Sequence, residues 1–161
     1  MRLTLWVASL FLIIILGGTF LFIKFSPPLE IGTVASSDDK QIALVGIGNK
    51  GFSMINITEV LVNTNKAPID VKLQESNIIH GFTLTDNYNS HEDKDVTFKN
   101  IEDVDIKRGT SPATNFENAD EGTASEKNTI YGVHVINDRA ITDIQITYKY
   151  LGISFTKQIK I

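Results

Sequence analysis

Between residues 143 and 161 apolar side chains recur at every second position. Ile144, Ile146, Tyr148 and Tyr150 alternate with Gln145, Thr147 and Lys149, and Ile153, Phe155, Ile159 and Ile161 alternate with Ser154, Thr156, Gln158 and Lys160. A helix repeats every 3.6 residues, so this spacing specifies strands with one dry face and one wet face. Ile69, Val71 and Leu73 alternate with Asp70, Lys72 and Gln74 in the same way, and further strands are expected at 41–47, 53–62, 79–85, 95–100 and 129–136. Turn-forming stretches separate them: Gly48-Asn49-Lys50-Gly51, Asn63 to Pro68, and Asn137-Asp138-Arg139. After Gly51, Ile55 and Ile57 share one parity while Val60 and Val62 share the other, which predicts a β-bulge near Thr58-Glu59. Lys157 interrupts the apolar face of the last strand, as edge strands do to discourage unwanted pairing. The chain stops inside that strand, so its end should be tied down. With no helical pattern in this region, the expectation is an all-β fold, an immunoglobulin-like antiparallel β-sandwich of about 7–9 strands, with a small barrel as the alternative.

Ahead of the strands, Leu3 to Ile23 contains no charged residue. As a helix this run would span about 30 Å, the thickness of a bilayer's hydrocarbon core. Trp6, Phe22 and Phe25 suit interfacial positions, and Pro27-Pro28 ends the helix. A cleaved secretory signal is the rival, but its apolar region would be only about 7–15 residues long. The expected division is a transmembrane anchor at 1–25, a linker at 26–38 and the sandwich at 39–161. Arg2 precedes the run while Lys24 and Lys40 follow it, so flanking charge barely sets orientation. The short tail ahead of the run favours a single-pass signal-anchor in the cell membrane, with the carboxyl-terminal domain extracytoplasmic.

The formal net charge is −4, and all 19 acidic residues lie beyond the apolar run. That surface disfavours nucleic acid and anionic head groups as partners for the domain. Cysteine is absent, which excludes disulfides, thiolate metal sites, cysteine nucleophiles and lipidation through cysteine. The cysteine-tryptophan-cysteine signature of antibody domains is missing too, since the only tryptophan is Trp6.

Reactive motifs are sparse. Ser37-Asp38-Asp39-Lys40 fits S-x-x-K, but Ser154 to Lys157 fits it equally inside a strand, and no companion motif occurs. Gly46-x-Gly48-x-x-Gly51 has the spacing of a dinucleotide loop, yet a strand follows it where a helix is needed, so a hairpin turn is expected. His80, His91 and His134 form no close pair, and His134 alternates with Val133 and Val135 as a strand residue. Asp86, Asn87, Asn89, Glu92, Asp93 and Asp95 gather hard oxygen ligands suited to calcium. The EF-hand pattern fails there, because His91 stands at its glycine position and Thr97 at its final glutamate. A solvated acidic loop is the plainer account, leaving Asp86, Asn89, Glu92, Asp93 and Asp95 as the metal candidates. No residue is assigned a catalytic role and no cofactor is expected.

Val45 to Phe52 (VGIGNKGF), Gly109-Thr110-Ser111-Pro112 and Tyr148 to Gly152 (YKYLG) resemble stretches of small single-pass membrane proteins of Gram-positive bacteria that carry an immunoglobulin-like exterior domain. The resemblance implies topology and compartment and supplies no site residues. The expected function is therefore non-enzymatic contact with a protein partner, first through the polar stretch 109–128 and then through 86–95. A calcium- or small-ligand-binding module and a cell-envelope hydrolase are the alternatives.

Overall fold

A computed structural model describes residues 2–88 and 96–161; within the first helix it describes the side chains of Trp6 and of residues 9–15, 17–19 and 21–25. That helix, α1, runs Arg2–Phe25. Trp6, Phe11, Ile13, Phe22 and Phe25 on it are exposed, and Ile23 is buried against the domain. The expected membrane span over Leu3–Ile23 falls partly on side chains outside the described residues. Among the described residues no helix is long and apolar enough to cross a membrane.

Among the described residues nine strands follow: β1 Leu29–Ser36, β2 Ile42–Asn49, β3 Ile55–Val62, β4 Asp70–Asn77, β5 Thr97–Lys99, β6 Asp105–Ile106, β7 Thr129–Ile136, β8 Asp143–Tyr150 and β9 Ile153–Lys160. They form two antiparallel sheets, in the orders β1-β2-β7-β4-β5 and β6-β3-β8-β9. Alternate residues of each sheet meet in one core. Val45, Ile47, Leu73, Tyr131, Val133 and Val135 come from the first sheet, and Ile55, Ile57, Val60, Ile144, Ile146 and Tyr148 from the second. Each such aliphatic side chain contributes about 1.5–3 kcal/mol on burial, so this double layer is the main source of stability.

The period-two pattern locates most of these strands, and three finer features agree with it. Ile57 pairs with Tyr148 and Glu59 with Thr147, leaving Thr58 as the extra residue of the bulge. The strand carrying Lys157 lies at a sheet edge, with Lys157 exposed. The backbone N–H of Ile161 donates to Thr142 O at 3.0 Å, fastening the last residue.

Four expectations need correction. Most of the expected linker is β1, paired with β2. Its register jumps between Ile31 and Val34, and this irregularity moves Leu29 and Ile31 out of phase with Val34. Residues 79–85 form a turn and then a strandless crossover segment. There the backbone of Thr83 pairs with the side-chain amide of Gln74, whose Nε2 donates to Thr83 O (3.3 Å) and whose Oε1 accepts from Thr83 N (3.0 Å). The polar stretch 109–128 contains a helix, α2, at Pro112–Asp120. Finally, Gly46 to Gly51 is no hairpin, because β2 and β3 belong to different sheets.

Asn49 builds that inter-sheet corner. It is fully buried, its Nδ2 donates to Ser53 O (2.8 Å) and Ile106 O (3.0 Å), and its Oδ1 accepts from Gly51 N (2.8 Å). Its backbone N–H donates to Thr110 Oγ1 at 3.2 Å. Replacing Asn49 by Ala strands three backbone groups, one buried and two partly buried, so Asn49→Ala is expected to cost about 2 kcal/mol of unfolding free energy in a urea titration. A wild-type midpoint would remove the corner from the account of stability.

Candidate functional site

An antiparallel sheet with one wet face would expose Leu44, Gly46 and Gly48 of β2, Gln74 and Ser76 of β4, and Gly132 and His134 of β7. All seven are buried. These residues share the face opposite the core, and in the ladder Leu44 lies beside His134 and Gly46 beside Gly132. Two segments cover that face. From one side comes the crossover through Phe82, whose ring packs where Cβ atoms on Gly46 and Gly132 would sit, at 3.1 and 3.0 Å. From the other comes α2, whose Pro112 fills the space over Gly32 and Gly48. The glycines thus let a third layer lie directly on backbone.

α2 begins as capping chemistry dictates. Ser111 is the N-cap, its Oγ accepts from Thr114 N at 3.5 Å, and Pro112 occupies the first turn. The Ser111 hydroxyl also donates to the Glu30 carboxylate, joining the helix start to β1.

His134 fixes the crossover. Its Nε2 accepts from Thr85 N at 3.2 Å, which leaves the ring proton on Nδ1 to donate to Tyr88 Oη at 3.2 Å. Tyr88 and Phe98 meet the imidazole edge-on, with centroids 5.3 and 5.6 Å away. Burial lowers the His134 pKa from 6.5 to about 4, against a weaker opposing pull from Asp70. Burial likewise raises the Tyr88 phenol above its usual range.

Between the two covering segments lies a groove of about 360 Å³. Leu44, Phe82, Leu84, Pro112, Phe116 and Ile130 supply apolar walls, and Gly32 and Thr33 of β1 reach its rim. Asn115 is only 6% exposed and lines the groove, and its side-chain amide makes no hydrogen bond to the described residues. Phe116 is 54% exposed beside it. An apolar trough with one free amide suits an apolar side chain attached to something that donates or accepts a hydrogen bond.

Of the favoured loops, 109–128 thus contributes Thr110, Pro112, Asn115 and Phe116 to the groove. From 86–95, Asp86 is described, while Asn89, Glu92, Asp93 and Asp95 lie outside the described residues. Among the described residues no group of three or more His, Asp or Glu side chains is placed to hold a metal ion. The Ser37-to-Lys40 motif is a turn: Ser37 Oγ donates to Asp39 Oδ1 (2.6 Å) and accepts from Ile42 N (3.0 Å). Lys40 Nζ points instead to Ile161 O, at 3.4 Å.

Sequence reasoning missed the groove because its floor is glycine, which carries no polarity signal. One usable signal was the uninterrupted run Ile42 to Gly48 without a polar residue, the mark of a strand covered on both faces. No family model, curated protein or solved structure matches this chain.

Proposed function

We propose that the chain is a non-catalytic, membrane-tethered immunoglobulin-like domain that binds an extended apolar segment of a partner protein in the groove beside α2. The pairing of unpartnered Asn115 with half-exposed Phe116 in that groove carries the reading. The strand at its rim, β1, is an edge of the five-stranded sheet. An added strand there would place alternate side chains toward the trough while its backbone completes the ladder. The immunoglobulin-like label rests on strand order: β1, β2, β7 and β4 stand as strands A, B, E and D, and β3, β8 and β9 as C, F and G. The tether rests on the uncharged run in α1 and on its exposed apolar side chains; the exterior location rests on the resemblance.

Titration of the full chain in detergent with peptides carrying apolar residues at alternate positions tests this. Binding should shift the backbone amides of Ile31–Ser36 and the side-chain amide of Asn115 in NMR spectra. Phe116→Asp should weaken it about 30-fold, the equivalent of about 2 kcal/mol of apolar contact. A small apolar ligand is the second reading, favoured by the volume of the groove. It would shift the groove residues and leave the β1 amides unmoved. Peptides that shift neither set would defeat the partner-segment reading.

A further inference from the structure

The end of the sandwich nearest α1 carries apolar side chains that the fold leaves exposed, although the Phe52 ring meets that of Tyr150 edge-on with centroids 5.7 Å apart. Phe52 is 64% exposed and Met54 58%, both in the β2–β3 corner, and Leu151 is 46% exposed at the tip of the β8–β9 turn. Leu151 is an odd residue for its place. Leu151 and Gly152 have φ of 50° and 78°, the paired positive values of a two-residue hairpin turn that favours Asn-Gly or Asp-Gly. A leucine there is disfavoured by its own backbone, and the domain leaves it nearly half exposed.

This same end is fastened to the helix. Only Ser26–Pro28 separate α1 from β1, so β1 starts within about 14 Å of the helix end. The backbone N–H of Lys50 donates to Pro28 O at 3.1 Å. Phe22, Ile23 and Pro28 close on Gly51, Phe52 and Tyr150, and Phe52 N donates to Tyr150 Oη at 3.0 Å. A Cβ on Gly51 would lie 2.7 Å from Tyr150 Oη and 2.8 Å from Pro28 Cβ, so the corner sits tightly on the chain leaving the helix. Lys24 and Lys50 are exposed beside the apolar tips.

We infer that this end, through Phe52, Met54 and Leu151 with Lys24 and Lys50 around them, rests in the head-group layer of a lipid bilayer and fixes the domain's orientation on the membrane. The inference deepens the tether reading and rests on it. An apolar helix in the bilayer holds the corner at the interface, where aromatic and aliphatic tips are covered by acyl chains and lysines meet phosphate. Restricted tilt then holds the groove beside α2 in a set direction.

The absence of cysteine allows a clean test. Full-length chains with one introduced cysteine, Gly17→Cys, Phe52→Cys, Leu151→Cys or Asp138→Cys, are labelled with an environment-sensitive fluorophore. They are then reconstituted in phosphatidylcholine–phosphatidylglycerol vesicles carrying shallow or deep lipid-borne quenchers. Asp138 reports the opposite end of the sandwich, about eight residues of strand away, or about 26 Å. The expected result is deep quenching at Gly17 and shallow quenching at Phe52 and Leu151 several-fold above that at Asp138. Quenching at Gly17 with Phe52 and Leu151 as unquenched as Asp138 overturns the inference and leaves the tether standing. No quenching at any site overturns both. A blue shift at Phe52 that grows with protein density, without lipid quenching, assigns the patch to a second copy of the chain and overturns it as well. In the Phe52→Cys background, Leu151→Asn suits the turn and should fold at least as well, yet shallow quenching at Phe52 should fall. Unchanged quenching there counts against the contribution of Leu151.

Discussion

Gly48→Ala is expected to lower the unfolding free energy by about 3 kcal/mol and to loosen α2, the largest effect of any single methyl group in the domain. A Cβ at this position would lie 1.9 Å from Thr110 O and 2.6 Å from Pro112 Cδ. The first obstacle is backbone, and Thr110 is held there twice, by Asn49 N donating to Thr110 Oγ1 and by Thr110 Oγ1 donating to Lys107 O at 2.8 Å. The added methyl therefore forces strand and loop apart, which costs more than an ordinary overpacked side chain. Gly132→Ala meets only side chains, the Phe82 ring first at 3.0 Å, and a ring can tilt by a few tenths of an ångström. Gly46→Ala meets that ring at 3.1 Å and also the Thr33 backbone at 3.1 and 3.2 Å. Gly132→Ala should cost about 1 kcal/mol or less, and Gly46→Ala should fall between it and Gly48→Ala. Urea unfolding of the three variants gives the order directly, and amide exchange in 112–120 should accelerate in Gly48→Ala alone. A wild-type midpoint for Gly48→Ala would show that α2 does not lie on bare backbone.

The same glycines explain how much of the fold was readable in the sequence. Side-chain alternation reports contrast between faces, so β8 and β9, with one dry and one wet face, were legible almost to the residue. The bulge was legible because Val60 and Val62 change phase with Ile55 and Ile57. Two layers of information do not alternate. Along β2, the core-facing Ala43, Val45 and Ile47 interleave with Leu44, Gly46 and Gly48, so neither face looks wet and the third layer leaves no polar trace. In β1, the irregularity between Ile31 and Val34 cancels the period over a strand of only eight residues. α2 had a readable start in Ser111-Pro112, an N-cap followed by proline, but polar residues such as Asn115, Asn118 and Asp120 hid it inside a loop-like composition. The groove follows from these unread elements together. His134 shows the limit most clearly: its neighbours Val133 and Val135 marked a strand, but nothing in that alternation told that Thr85, Tyr88 and Phe98 cover the opposite face.

That burial makes His134 a source of pH-dependent stability. In the unfolded chain the imidazole titrates near 6.5; in the fold it stays neutral down to about 4, because burial disfavours the cation. Above pH 6.5 both states are neutral and the stability is fully present. Between 6.5 and 4 the unfolded state binds a proton that the folded state refuses, so stability falls as the pH drops, until the folded ring also titrates. The loss should be about 2 kcal/mol by pH 5 and about 3 kcal/mol by pH 4. Most carboxylates titrate below pH 5, so between 6.5 and 5 the difference in slope between wild type and a His134 variant reads this imidazole. In His134→Gln the side-chain oxygen can still accept from Thr85 N, and the variant should lose most of the slope across that interval while remaining folded at pH 7. Protonation also removes the acceptor at Nε2, so the first part to yield in acid should be the crossover that Thr85 and Tyr88 pin to the sheet. Since Phe82 and Leu84 lie on that crossover and wall the groove, peptide binding should weaken over the same pH range in the wild-type chain. Equal slopes for wild type and His134→Gln, or a His134 resonance, assigned by its loss in His134→Gln, that titrates near 6.5 in the folded protein, would show that the ring is solvated and that the crossover is held by other contacts.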